Sequence, residues 1–174
     1  NRFQKTLKNK SIGLLFFNPS MRTRTSFEIG IKELGGFAVV LQPGKDAWPI
    51  EFKLNSIMDN DTEEHIIEVA KVLSEYCDLI AIRAFPKFQN LEEDFSDNLI
   101  NSFAKYSSVS VINMETITDL CQKLAHILIL QENLGELTGN DYLLTWTYHP
   151  EPLTTAVANS SLFIASKFAT NIKL

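Results

Sequence analysis

"SIGLLFFNPSMRTRTSFEIGIKELGG" occupies residues 11–36. It opens with an apolar run over 11–17, turns at Asn18-Pro19, and continues with a segment of helical period over 20–34 that stops at Gly35-Gly36. This is a strand, a turn and a helix with a glycine stop. The apolar run is continuous rather than alternating, the pattern of a parallel strand covered by helices on both faces. One feature conflicts with ordinary helix chemistry. A helix's first turn exposes unpaired N–H groups and a partial positive charge, which favours carboxylates, yet this one carries Arg22 and Arg24.

The same alternation extends outward from this unit. Further strands are predicted over 37–42, 78–83, 109–114 and 142–147, with a last one at 171–174; helices are predicted over 62–76, 91–106, 119–134 and 153–169. In the helix at 62–76, Thr62 is placed to cap, Glu63 and Glu64 suit the first turn, and Ile66, Val69, Ala70, Leu73 and Tyr76 form one stripe. Strands and helices alternating in this way predict an α/β fold, a doubly wound parallel sheet with flanking helices. The loop over 43–61 is long for a compact domain, and such loops are usually functional or mobile. A polar stretch with two glycines over 132–141 marks a boundary. Residues 1–134 are expected to form one domain and 142–174 the beginning of a second α/β domain that is incomplete, so the chain reads as a piece of a longer parent.

Composition narrows the class. Apolar residues make up 45% and charged residues 21%, as in a globular protein, and the net charge of −5 argues against a general nucleic-acid binder. Cys77 and Cys121 match no metal or redox spacing and are expected to be reduced, packed thiols in a cytoplasmic protein. His65, His126 and His149 are scattered, so no metal site is expected. No apolar run is long enough to span a bilayer, and no membrane partner is expected.

The conflict at the helix start resolves if an anion binds there. Free N–H groups, the hydroxyls of Ser20 and Thr23, and the guanidinium groups of Arg22 and Arg24 all suit a phosphate. The competing reading has two solvated arginines, with Arg24 paired to Glu28 one turn on. No Gly-Lys-Ser or Gly-Lys-Thr follows a glycine-rich turn, so this is not a nucleotide P-loop.

"FFNPSMRTRTSFE" (16–28) resembles the Ser-x-Arg-Thr-Arg signature of the aspartate and ornithine carbamoyltransferases. "LQPGKDAWPIEF" (41–52), "MDNDTEEHI" (58–66), "IRAFPKF" (82–88), "VINMETIT" (111–118) and "LTWTYHP" (144–150) are similar to the N-acetylornithine branch of that family. The resemblance covers nearly the whole chain. It leaves a short N-terminal segment and about half of the parent, on the C-terminal side, outside it.

The resemblance implies that residues 1–134 bind carbamoyl phosphate, through Ser20, Met21, Arg22, Thr23, Arg24, Trp48, Arg83, Cys121 and Gln122. Arg22 and Arg83 take the catalytic roles. Trp48 is implied to reach into a neighbouring subunit's site, in a homotrimer with shared active sites. Glu63 and Glu115 are implied contacts for N-acetyl-L-ornithine, Glu63 standing where the succinylornithine branch has proline. The implied reaction is attack of the δ-amine on the carbamoyl carbon, giving N-acetyl-L-citrulline and phosphate on a route to arginine, with no cofactor and no metal.

Three positions depart from the family pattern. Asp119 stands where the family has histidine in His-Pro-x-Gln, Glu151 where it has a basic residue, and Thr154 where it has asparagine. An ionised aspartate accepts hydrogen bonds and repels a dianion, although Asp119-x-x-Gln122 is also a sound helix-capping pattern. Alternatives are an N-succinylornithine, ornithine or aspartate carbamoyltransferase, or a degenerate, non-catalytic anion-binding module. A nucleotide-binding Rossmann module fits the alternation but lacks the Gly-x-Gly-x-x-Gly fingerprint.

Overall fold

Four of the apolar runs pair side by side in one parallel sheet. They are β1 (Ser11–Phe16), β2 (Phe37–Leu41), β5 (Leu79–Arg83) and β6 (Ser110–Glu115), in the spatial order β2-β1-β5-β6. The computed structural model describes residues 5–59, 61–150, 153–168 and 170–174. Helix α1 (Arg22–Glu33) connects β1 to β2. The chain then crosses back to place β5 on the other side of β1, through α2 (Ile66–Tyr76). Strand order therefore reverses at β1 and β5, and the crevice at their carboxyl ends is where open α/β sheets take ligands.

Alternate side chains of each strand enter separate cores. Leu15, Ile80 and Ile82 pack with Ile66 and Ala70 of α2 and with Phe103, whereas Ile12, Leu14, Phe16 and Ala81 pack with Ile31 of α1 and Met114. Both faces are covered, which is why these strands read as unbroken apolar runs. At the end of α1, Gly35 takes φ 88°, and the N–H groups of Gly35 and Gly36 return to the carbonyls of Lys32 and Ile31. This is the stop that the glycine pair predicted.

Several boundaries differ from expectation. The helix expected from residue 62 begins at Ile66, because Glu64–His65 forms a short strand, β4, that pairs in parallel with β3 (Ile50–Glu51) inside the long loop. The cap is accordingly His65, whose Nδ1 accepts from the N–H of Ile67, rather than Thr62. The helix expected over 91–106 is two, α3 (Leu91–Ser96) and α4 (Asn98–Tyr106), divided at Asp97, which sits in the left-handed region at φ 46°. Aspartate tolerates that region better than most residues, and its carboxylate is held by the hydroxyl of Thr116 at 2.6 Å.

Helix α5 (Leu120–Leu134) follows β6, and α6 (Ala156–Lys167) packs on it. Strands β7 (Asp141–Leu143) and β8 (Asn171–Lys173) pair only with each other among the described residues. The strand expected over 142–147 stops at Leu143, because its partner has three residues and the last bond is from the N–H of Leu144 to the carbonyl of Lys173. Among the described residues no helix is long and apolar enough to cross a membrane.

Candidate active site

The turn after β1 is tied to the neighbouring strand end. Asn18 accepts at Oδ1 from the N–H of Phe85 at 2.6 Å, fastening the turn to the strand end of β5. Beyond Pro19 the chain enters α1 through Met21, whose side chain provides no cap, and no acidic residue lies in the first turn. The positive helix end is thus left open toward the sheet's carboxyl edge.

A cleft of about 780 Å³ opens there. One wall is the α1 turn with Ser20, Met21, Arg22 and Thr23; the floor is Arg83 and Glu115; the opposite wall is the head of α5 with Asp119, Cys121 and Gln122. Thr154 and Val157 close one side. Eight of the residues expected in the site are therefore brought together: Ser20, Met21, Arg22, Thr23, Arg83, Glu115, Cys121 and Gln122. Arg22 is exposed and pairs with no carboxylate among the described residues, so its guanidinium is available to a ligand.

Three expected residues lie elsewhere. Arg24 is turned along α1 and paired to Glu28 at 2.7 Å, the competing reading of that arginine, so only one of the two guanidinium groups faces the cleft. Trp48 projects from the long loop, 62% exposed, beside a separate, mostly apolar cavity of about 620 Å³ that Lys45, Asp46 and Glu64 also line. Glu63 is exposed before β4 and lines neither cavity. Cys121 differs from expectation: the residue is exposed at the cleft wall although its sulfur is partly desolvated, whereas Cys77 is buried as expected.

The floor is an ion pair. Arg83 ends β5 and donates from Nε to Glu115 Oε2 at 3.0 Å, and Nη2 lies 3.0 Å from the same oxygen in the ion pair. Nη1 donates to the carbonyl of Pro19, and the guanidinium lies 4.3 Å from the ring centre of Phe85. Of the five donors of a guanidinium, two are thus engaged in hydrogen bonds within the protein and the others are left for a ligand. Glu115 ends β6 and is buried at 7% exposure. Burial pushes its carboxyl above the ordinary value, and the facing Arg83 offsets this only in part; Asp119 adds to the rise. Burial and Asp119 likewise push the Cys121 thiol up, which disfavours the nucleophilic thiolate.

Asp119 is buried and caps α5, its Oδ1 accepting from the N–H of Gln122 at 2.9 Å. Half of the capping pattern is therefore present: Asp119 caps the helix, but Gln122 does not reach back, because the N–H of Asp119 goes to Ser160 Oγ and the Gln122 amide lies against His126. Thr154 uses its hydroxyl locally, accepting from the N–H of Ala156. Glu151 lies outside the described residues. Sequence reasoning missed Pro19, whose carbonyl orients Arg83, and Phe85, whose ring supports it. The Asn-Pro pair after an apolar strand and the aromatic two residues past Arg83 were the available signals.

Comparison with known proteins agrees with this geometry. Residues 1–132 match the model of the aspartate/ornithine carbamoyltransferase, carbamoyl-P binding domain. An N-acetylornithine carbamoyltransferase of Xanthomonas campestris pv. campestris is 64% identical over 176 residues, a match spanning 100% of this chain and 52% of the relative. A crystal structure of acetylornithine transcarbamylase complexed with acetylcitrulline superposes with a TM-score of 0.97 at 64% identity, over 100% of this chain and 53% of that one. A mutant N-acetyl-L-ornithine transcarbamylase complexed with carbamyl phosphate and N-succinyl-L-norvaline superposes equally, with a TM-score of 0.97 at 63% identity, over 100% and 53%. The chain spans about half the length of the relatives it matches. It belongs to the aspartate/ornithine carbamoyltransferase family.

Proposed function

We propose that the full-length protein transfers the carbamoyl group of carbamoyl phosphate to the δ-amine of N-acetyl-L-ornithine. The amine nitrogen bonds to the carbamoyl carbon, the carbon–oxygen bond to phosphate breaks, and N-acetyl-L-citrulline and phosphate leave on a route to arginine. The observation that carries this reading is an uncapped helix head whose Arg22, unpaired among the described residues, lines the same cleft as a second arginine, Arg83. Ser20, Met21, Arg22 and Thr23 hold the phosphate, and the free donors of Arg83 turn toward the carbamoyl group. Cys121 and Gln122 bound the site from α5. Glu115 faces the amine acceptor, and its bond to Arg83 fixes both side chains in place. No cofactor enters; catalysis is positioning and stabilisation of the charge that gathers on the departing phosphate.

Residues 1–134 form the carbamoyl phosphate domain in this reading, and 142–174 begin the domain for the amine. Trp48, which lines a different cavity from its own cleft, completes the site of a neighbouring copy in a homotrimer, and Glu63 contacts the amine acceptor there. A soluble cytoplasmic setting suits such a reaction.

Assay of the full-length protein with N-acetylornithine, N-succinylornithine, ornithine and aspartate tests the assignment. The expected outcome is a clear preference for N-acetylornithine; preference for plain ornithine overturns it. A second reading, a non-catalytic anion-binding module, is favoured by the carboxylate of Asp119 in the anion cleft. Calorimetry with carbamoyl phosphate on the wild type and on Asp119→His separates the two. The substitution removes a negative charge and adds a donor, so binding is expected to tighten on the order of tenfold and turnover to rise. An unchanged affinity and rate would clear Asp119 of any antagonistic effect.

A further inference from the structure

Three consecutive residues of α6 reach the wall of the cleft that α1 does not build. Asn159 Nδ2 donates to the carbonyl of Ile117 at 3.2 Å, Ser160 Oγ accepts from the N–H of Asp119 at 2.7 Å, and Ser161 Oγ lies 3.4 Å from His126 Nδ1. The other ring nitrogen of His126 lies 3.4 Å from Gln122 Nε2. One neutral tautomer serves both contacts, Nε2 accepting from the Gln122 amide and Nδ1–H donating to Ser161.

The central bond is shielded from water. Ser160 is 1% exposed and Asp119 is 7% exposed, so an N–H that lost this acceptor would have no solvent to replace it. Packing alone does not require a hydroxyl there, since Ala156 and Ala165 occupy other buried positions of α6. The Asp119 N–H leads directly into the first turn of α5, where Cys121 and Gln122 face the cleft.

We propose that Ser160 is a positioning residue: by holding the N–H of Asp119 it sets the head of α5, and with it Cys121 and Gln122, at a fixed distance from the α1 turn. The relay from Ser161 through His126 repeats the hold at the Gln122 side chain. Helix α6 thereby governs the carbamoyl end of the cleft while leaving the phosphate end to α1. This rests on the reading that the cleft takes carbamoyl phosphate, with its phosphate at the α1 turn.

The test compares wild type, Ser160→Ala and Ser166→Ala in the full chain, titrated calorimetrically with carbamoyl phosphate and with inorganic phosphate. Ser166 is on the same helix and exposed, and among the described residues its hydroxyl bonds only to the carbonyl of Phe163, so it controls for changes in α6 itself. For Ser160→Ala, carbamoyl phosphate binding is expected to weaken about tenfold and phosphate binding less than about threefold, the loss of one buried hydrogen bond felt at one end of the ligand. Ser166→Ala is expected to match the wild type. Equal weakening of both anions, or a lowered melting temperature with both affinities unchanged, overturns the positioning role alone. A wild-type protein that binds neither anion overturns the functional reading and this proposal with it. Should Ser160→Ala fail to fold, Ser161→Ala carries the same comparison through His126, with an expected loss of about threefold for carbamoyl phosphate only; no difference between the two anions overturns the proposal there too.

Discussion

Arg83 and Glu115 meet at the ends of neighbouring strands, both largely shielded from water, with side-chain exposures of 11% and 9%. Removing one partner of such a pair leaves the other charge buried without compensation. Arg83→Met is therefore expected to destabilise the fold by about 3 kcal/mol in urea unfolding, and Arg83→Met with Glu115→Gln to recover part of that loss. Equal cost in the single and double variants would show that Glu115 is not the group left stranded. The pH dependence has a definite sign. Glu115 holds its proton more firmly in the native state than at the ordinary value of 4.5, because burial outweighs Arg83. Its contribution to stability is present below the unfolded value and is lost as pH rises through the raised native one. The Glu115→Gln variant should thus gain on the wild type as pH rises through that window, measured as the difference between their unfolding free energies. A difference that stays flat with pH contradicts the assigned direction.

At the scale of elements, the opposite edge of the sheet is fastened by Asp78, which precedes β5. Its carboxylate accepts from Lys10 Nζ at 2.7 Å and from the N–H of Ser11 at 2.8 Å, joining the start of β5 to the start of β1. The bond from Lys10 comes first and that from Ser11 second in holding the Asp78 carboxyl below its ordinary value. A lowered carboxyl stabilises above its unfolded value, and the effect is lost as pH falls through the native one. Asp78→Asn is expected to lower the melting temperature at neutral pH and to converge with the wild type in acid; a gap that persists in acid assigns the loss to packing instead. The main strands were legible in the sequence because a strand covered on both faces needs an unbroken apolar run. The α1 turn was legible because a charge placed against a helix dipole is a local contradiction. Strands β3 and β4 were not, since two residues carry no period. The head of α2 was misplaced because Thr62, Glu63 and Glu64 satisfy capping chemistry that pairing with Ile50 overrides. Nor could spacing show that Ser160 meets Asp119, 41 residues away.

For the whole molecule, the informative fact is where apolar surface remains uncovered. Trp48, Leu54, Ile57 and Met58 are all exposed along one long loop, and Trp48 also lines the cavity between that loop and α2. Exposed apolar groups concentrated in this way mark an interaction surface more often than scattered ones do. In the proposed assembly this face meets a second copy, and Trp48 enters the second copy's cleft. An intersubunit site has a consequence that a self-contained one lacks: its affinity depends on protein concentration wherever the subunits dissociate. The full-length protein should therefore bind carbamoyl phosphate more tightly above its association midpoint than below it, by on the order of tenfold for a central aromatic anchor. Trp48→Ala should flatten that dependence at the weaker value. Sedimentation velocity locates the midpoint, and calorimetry on either side of it reads the affinity. If the wild type binds equally well as monomer and as assembly, each cleft is complete in one chain, and Trp48 is a packing residue of its own loop.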